Sequence, residues 1–294
     1  MSKRPWAKVA TYPPLVRVLL FLLIVVALWL PLALPLYGLA GQGVLPGGDL
    51  LPTALLYLVF LLLLPRWERR VRGEQQPWAK VGFAGRSALA RGMATGALLG
   101  AISIGVLAVV QVTLGWAGLD PAGARGLNLV QIALVGAAAA TAVGWSEEVL
   151  FRGWLLRELE QSWSPAVALG ATSLIFAIAH FIKPLDAILA LLPQFVGLLL
   201  LALVLGWARR IPVGSGKTGL GHPAGLHAGL VWGYYLLEVG NLIKPTGSVP
   251  AWVTGIDGNP LAGLLGLALL SGLGLLLWRW SRPFAQGATG TLHE

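Results

Sequence analysis

Residues 18–40 read VLLFLLIVVALWLPLALPLYGLA, without a single charged side chain. A helix needs about 20 mostly apolar residues to cross the hydrocarbon core of a bilayer, and this run supplies them. Leu98–Gly115 is a second charge-free block. Outward from these two, the whole 294-residue chain has the same character, with 56% hydrophobic and only 11% charged residues. Soluble domains carry roughly 25% charged residues to wet their surface, so soluble, disordered and fibrous classes are excluded. Hydropathy predicts an all-α, polytopic integral membrane helical bundle. About eight transmembrane helices are expected, near 16–38, 50–65, 92–116, 128–156, 165–182, 187–208, 221–239 and 261–278. A single membrane domain over 1–294 is expected, with no fixed-period repeat.

The excess of 21 Lys and Arg over 12 Asp and Glu gives a net charge of +9. The cations sit in short clusters between apolar runs: Lys3, Arg4, Lys8 and Arg17 before the first run, then seven between 66 and 91, then Arg209 with Arg210, and Arg279 with Arg282. Clusters of this kind mark cytoplasmic loops and offer no basic face to nucleic acid, so no nucleic-acid partner is expected. The parity of crossings places both termini in the cytoplasm and the protein in a plasma or inner membrane, with an organelle or thylakoid membrane also open. The first run, basic at its start, is too long for a signal-peptide core and reads as a retained span. Segment 66–91 reads as a basic cytoplasmic loop with a surface helix held by Trp67 and Trp78, and 281–294 as a disordered tail. Absence of cysteine rules out disulfides, thiolate metal sites and a cysteine nucleophile.

Ionisable groups inside a span are costly enough to mark function. Within Gly144-Trp-Ser-Glu-Glu-Val-Leu-Phe-Arg-Gly153, Glu148 and Arg152 stand four apart with the acid first, the favourable order for a helical ion pair. Glu147 is rotated by about 100° from Glu148 and meets Leu150 and Phe151 at its own i+3 and i+4. It is the candidate general base; a structural polar knot is the competing reading. His180 ends the stretch Phe176-Ala-Ile-Ala-His. Counted from Trp163 in the turn between the two helices, Glu147 lies 16 residues back and His180 17 forward, so an antiparallel pair of equal rise brings them to one height. In the span over 221–239, glycines recur at 221, 225, 229 and 233, a stripe for close helix contact. His227 lies on another face, shared with Val231, Tyr234 and Glu238; His222 reads as interfacial.

Glu147, Glu148 and Arg152, then Phe176 and His180, then His227 in Gly225-Leu-His-Ala-Gly229 resemble the motifs of the CAAX prenyl protease and bacteriocin-processing (CPBP) family of intramembrane glutamic endopeptidases. The resemblance covers roughly 127–240 and implies a four-helix catalytic core there. It implies that Glu147 and His180 activate a water for attack on a peptide carbonyl without metal or other cofactor. Glu148 and Arg152 organise the site, and His227 stabilises the oxyanion with an Asn four residues on; Phe176 and Tyr234 support the site or the substrate. The expected partners are the bilayer and a membrane-associated or lipidated peptide. The sequence departs at that Asn: position 231 is Val, and Asn241 is too far along. For the three motifs to meet, the helix of Glu147 must also extend beyond the bilayer, because His227 lies near the start of its own span.

Three other readings stay open. His180, His227 and Glu147 or Glu148 satisfy a three-ligand count for a metal-dependent protease, although no His-Glu-x-x-His motif is present. Buried acids and histidines also suit a proton-coupled transporter or channel, without the paired broken helices such proteins carry. A non-catalytic membrane scaffold or protective factor is the third.

Overall fold

The computed structural model describes residues 6, 8–44, 50–83, 85–183, 185–213 and 217–287, with side chains as far as Ser281. In chain order the helices are α1 (Pro14–Gly41), α2 (Leu50–Val71), α3 (Pro77–Val81), α4 (Arg86–Thr113), α5 (Gly126–Glu148), a π-helical segment (Val149–Leu155) that runs on into α6 (Leu156–Glu160), α7 (Pro165–Ala179), α8 (Leu185–Leu191), α9 (Phe195–Arg209), α10 (Gly221–Val239), α11 (Ala251–Thr254) and α12 (Leu264–Gly287). Two short antiparallel pairs complete the structure: β1 (Ala117–Leu119) with β4 (Ile243–Pro245), Ala117 opposite Pro245, and β2 (Pro212–Val213) with β3 (Lys217–Thr218). The protein is an all-α polytopic membrane bundle.

All eight expected spans are helical. Six helical stretches are long and apolar enough to cross a membrane: 14–41, 50–71, 77–113, 126–160, 185–209 and 264–281. Helix α7 has 15 residues, about 22 Å of rise, short of a hydrocarbon core of about 30 Å. Helix α10 has 19 residues, among them two histidines, a glutamate and four glycines. Two segments outside the expected spans contain helix. Segment 66–91 is mostly helix, the end of α2, all of α3 and the start of α4. The expected tail is helical to Gly287, because α12 continues past Ser281; its remainder, like Lys3 and Arg4, lies outside the described residues.

The chain forms two compact units, one of residues 1–81 with 157–163 and one of 82–156 with 164–294. Ion pairs hold 157–163 within the first. Arg157 and Glu158 find their partners on the N-terminal helices: Arg157 donates to Glu68 and to Glu74, the latter at 2.7 Å, while Arg17 and Arg72 both bond Glu158. Around this network α1 and α2 run antiparallel, with Phe21 packed on Phe60 and Trp67 at ring separations of 5.8 and 5.0 Å, and Trp29 donating to the Pro52 carbonyl at 2.8 Å. Trp67 is therefore a core residue of this unit and no interfacial anchor: on helical spacing it shares the inward face with Leu64 and Val71, both buried.

The second unit is built on glycine. The stripe of α10 meets Gly92, Gly96 and Gly100 of α4, so that a Cβ on Gly221 would lie 2.6 Å from the Leu89 carbonyl and one on Gly100 2.6 Å from the Leu226 carbonyl. Backbones this close gain dispersion contacts over their whole length, the main attraction between helices in lipid. Helix α5 presents Gly136, Ala140 and Gly144 as its buried face, and a Cβ on Gly144 would lie 2.9 Å from the Ala224 carbonyl of α10. The β1–β4 pair, with Asp120 N–H bonded to the Leu242 carbonyl at 3.1 Å, ties together the ends of α4 and α10.

Candidate active site

Glu148 is the next member of the α5 stripe, four residues beyond Gly144, and is 0% exposed. The small residues before it bring α5 onto α10, and its carboxylate thereby reaches His227, with Oε1 3.0 Å from Nδ1. The same oxygen accepts Arg152 Nη1 at 2.8 Å, the ion pair expected from the i, i+4 spacing. Arg152, 2% exposed, gives Nη2 to the Ala202 carbonyl of α9 at 2.9 Å and lays its guanidinium over the Phe176 ring, 4.6 Å from the centroid. One arginine thus ties α5, α7 and α9 together. It is placed by the π-helical segment, a device that recurs at functional sites and here buries Phe151, Arg152, Gly153, Trp154 and Leu155 in succession.

Glu147 lacks a helical partner, as expected. Its side chain is 16% exposed, its Oε2 lies 3.9 Å from His227 Nε2, and that oxygen has no hydrogen-bond partner among the described residues. His227, 4% exposed, therefore stands between two carboxylates, one on each ring nitrogen. His180 bonds to its own helix end. Among the described residues no hydrogen bond or ion pair joins it to Glu147. It terminates α7, and its Nδ1 meets the Phe176 carbonyl one turn back at 2.8 Å. Equal rise along a hairpin speaks to height alone; the direction of the side chain is taken by its own helix end.

Phe176, 0% exposed, is the hub. Its ring lies 4.6 Å from the His180 ring, 6.2 Å from the His227 ring and 4.9 Å from that of Phe151, so both imidazoles border one aromatic wall. Tyr234 is not joined to the cluster by any hydrogen bond among the described residues; with Val231 it lines a separate apolar cavity of about 180 Å³ walled by α4, α9, α10 and the start of α12. His222, at the start of α10, stands apart from the cluster, its Nδ1 buried and without a hydrogen-bond partner among the described residues. Among the described residues no three His, Asp or Glu side chains converge as a metal-ligand set. Sequence reasoning passed over the Ala202 carbonyl, for which no side-chain signal exists. It also passed over the small-residue stripes 92/96/100 and 136/140/144, whose period of four was there to be read. The helix over 126–160 has 35 residues, about 52 Å at α-helical rise, longer than a core of about 30 Å.

Fold and site together define a multi-pass membrane protein whose bundle buries an acid–arginine–histidine cluster. Residues 129–248 match the model of the family described as Type II CAAX prenyl endopeptidase Rce1-like, which bears out the resemblance carried by the motifs and contains every residue of the cluster. The matched family is one of peptide hydrolases. No curated protein and no solved structure matches the chain.

Proposed function

We propose that this protein is an intramembrane, metal-independent endopeptidase of the glutamate type, acting on a peptide bond of a membrane-associated or lipidated substrate. The observation that carries the reading is His227 held between Glu147 and Glu148. A carboxylate only accepts hydrogen bonds, so Glu148, already bound to Arg152, fixes a proton on His227 Nδ1. Neutral His227 would then turn the lone pair of Nε2 toward the ionised oxygen of Glu147, two acceptors facing each other.

In the reaction proposed, Glu147 serves as the carboxylate base and His227 as a donor through Nε2–H. Glu147 takes a proton from water as the oxygen attacks the carbonyl carbon, and the Nε2–H of His227 bonds the developing oxyanion. His180, its Nδ1–H held by the Phe176 carbonyl, keeps Nε2 as an acceptor and in this reading passes the proton on to the leaving amine. Glu148 and Arg152 orient His227. The protein is read as lying in a plasma or inner membrane with both termini cytoplasmic.

The test is cleavage of a lipidated CAAX peptide by purified protein in liposomes, followed by mass spectrometry. Wild type cleaves, and Glu147→Gln does not. Cleavage that persists in Glu147→Gln overturns the glutamate mechanism. One observation favours the scaffold reading: Val231 sits where the family places an oxyanion donor, and faces an apolar cavity. Absence of cleavage by wild type on any lipidated peptide would support it.

A further inference from the structure

In the first unit an open groove of about 210 Å³ runs between α1 and α2. Its walls are apolar, with Ile24 and Leu28 from α1 and Leu63 and Trp67 from α2; its basic end carries Arg66 and Arg70. These two arginines are one turn apart, about 6 Å between Cβ atoms, a spacing at which both forks reach one phosphodiester. From Phe21 to Leu28 the groove follows α1 for about 10 Å. Trp6 lines it as well, and tryptophan is enriched at the level of lipid headgroups.

The pairing pattern of the unit says what is missing. Arg17, Arg72 and Arg157 are matched to Glu68, Glu74 and Glu158. Arg66 and Arg70 have no carboxylate partner among the described residues, and Arg66 spends one donor on the Leu62 carbonyl of its own helix. Glu68, Glu74 and Glu158 are committed to other cations, which leaves these two guanidinium groups open to an anion from outside the chain. An apolar trough with two unmatched guanidinium groups at its interfacial end has the polarity of an anionic amphiphile. We propose that the groove binds one anionic phospholipid of the leaflet that faces the basic loops, its phosphate between Arg66 and Arg70 and an acyl chain along Ile24, Leu28 and Leu63. This assignment is independent of the proteolytic reading.

The test uses the full chain, delipidated in detergent, with phosphatidylglycerol or phosphatidylcholine titrated in native mass spectrometry. Wild type binds one phosphatidylglycerol more tightly than phosphatidylcholine. The double variant Arg66→Gln/Arg70→Gln weakens that binding by about 30-fold, from about a factor of five for each basic residue near the surface. Leu28→Trp, which fills the trough at an exposed position, weakens it as well. Arg69→Gln, on the same helix but outside the groove, leaves it unchanged. Equal binding of the two lipids overturns the proposal, as does a loss in Arg69→Gln equal to that in Arg66→Gln. So does displacement of the lipid by inorganic phosphate together with unaltered binding in Leu28→Trp, which would mark an anion site without an acyl trough.

Discussion

Glu147 and Glu148 are adjacent and chemically identical, yet substitution of each by Gln should have opposite consequences. Glu148 is 0% exposed and its Oε1 serves both Arg152 and His227. The amide retains the shape and one acceptor but removes the charge, and deprives the buried Arg152 guanidinium of its hydrogen-bonded carboxylate. Breaking a buried pair in this way costs about 3–5 kcal/mol. At roughly 2–4 °C per kcal/mol for a chain of this class, the melting temperature should fall by on the order of 10 °C. Glu147 is partly exposed, and its Oε2 makes no hydrogen bond among the described residues, only the 3.9 Å approach to His227, so its amide should change stability by no more than about 1 kcal/mol. Its effect falls on the reaction: loss of a general base costs about 10²–10⁴ in turnover. The assay pairs thermal unfolding in detergent, followed by size-exclusion fluorescence, with cleavage of a quenched lipidated peptide in liposomes. A double variant, Glu148→Gln with Arg152→Met, removes both charges and should recover part of the lost stability, since the two effects are coupled. Equal melting shifts for Glu147→Gln and Glu148→Gln, or wild-type turnover in Glu147→Gln, would refute the division of roles.

Three further outcomes are expected. Turnover should be unaffected by chelators or by added zinc, because the donors at the site do not converge as a ligand set; inhibition by a chelator that zinc reverses would favour the metal-dependent alternative. Gly100→Leu, whose Cβ would lie 2.6 Å from the Leu226 carbonyl, should force α4 off α10, at a cost of about 1–3 kcal/mol or more, and lower turnover along with the melting temperature; an unchanged melt would mean the helices do not pack this closely. Val231→Asn should raise turnover by up to about 10²-fold, the size of one oxyanion donor; no gain would detach position 231 from the oxyanion.

The motif residues were legible one at a time. Glu148 with Arg152 followed from spacing alone, since an i, i+4 pair is decided inside one helix, and the contact is present at 2.8 Å. The α10 stripe was legible for the same reason. The direction taken by His180 was not, because height along a hairpin says nothing of side-chain direction. The Phe176 carbonyl that holds His180 is a backbone group, and sequence patterns do not display backbone acceptors. Trp67 was misplaced because amphipathic aromatics suit an interface and a core equally, and only the ring of Phe21 at 5.0 Å decides between them.

Composition and periodicity, by themselves, determined that this chain is a membrane-spanning helical bundle with its unusual acids and histidines on three separate helices. Both depend on properties local to a helix, its transfer to lipid and its turn of 3.6 residues. Which carboxylate faces which imidazole was decided by the tertiary structure alone. Those distances depend on how closely α5 and α10 approach, and on a π-helical segment that re-aims Arg152. Both arise from packing between helices far apart in the chain.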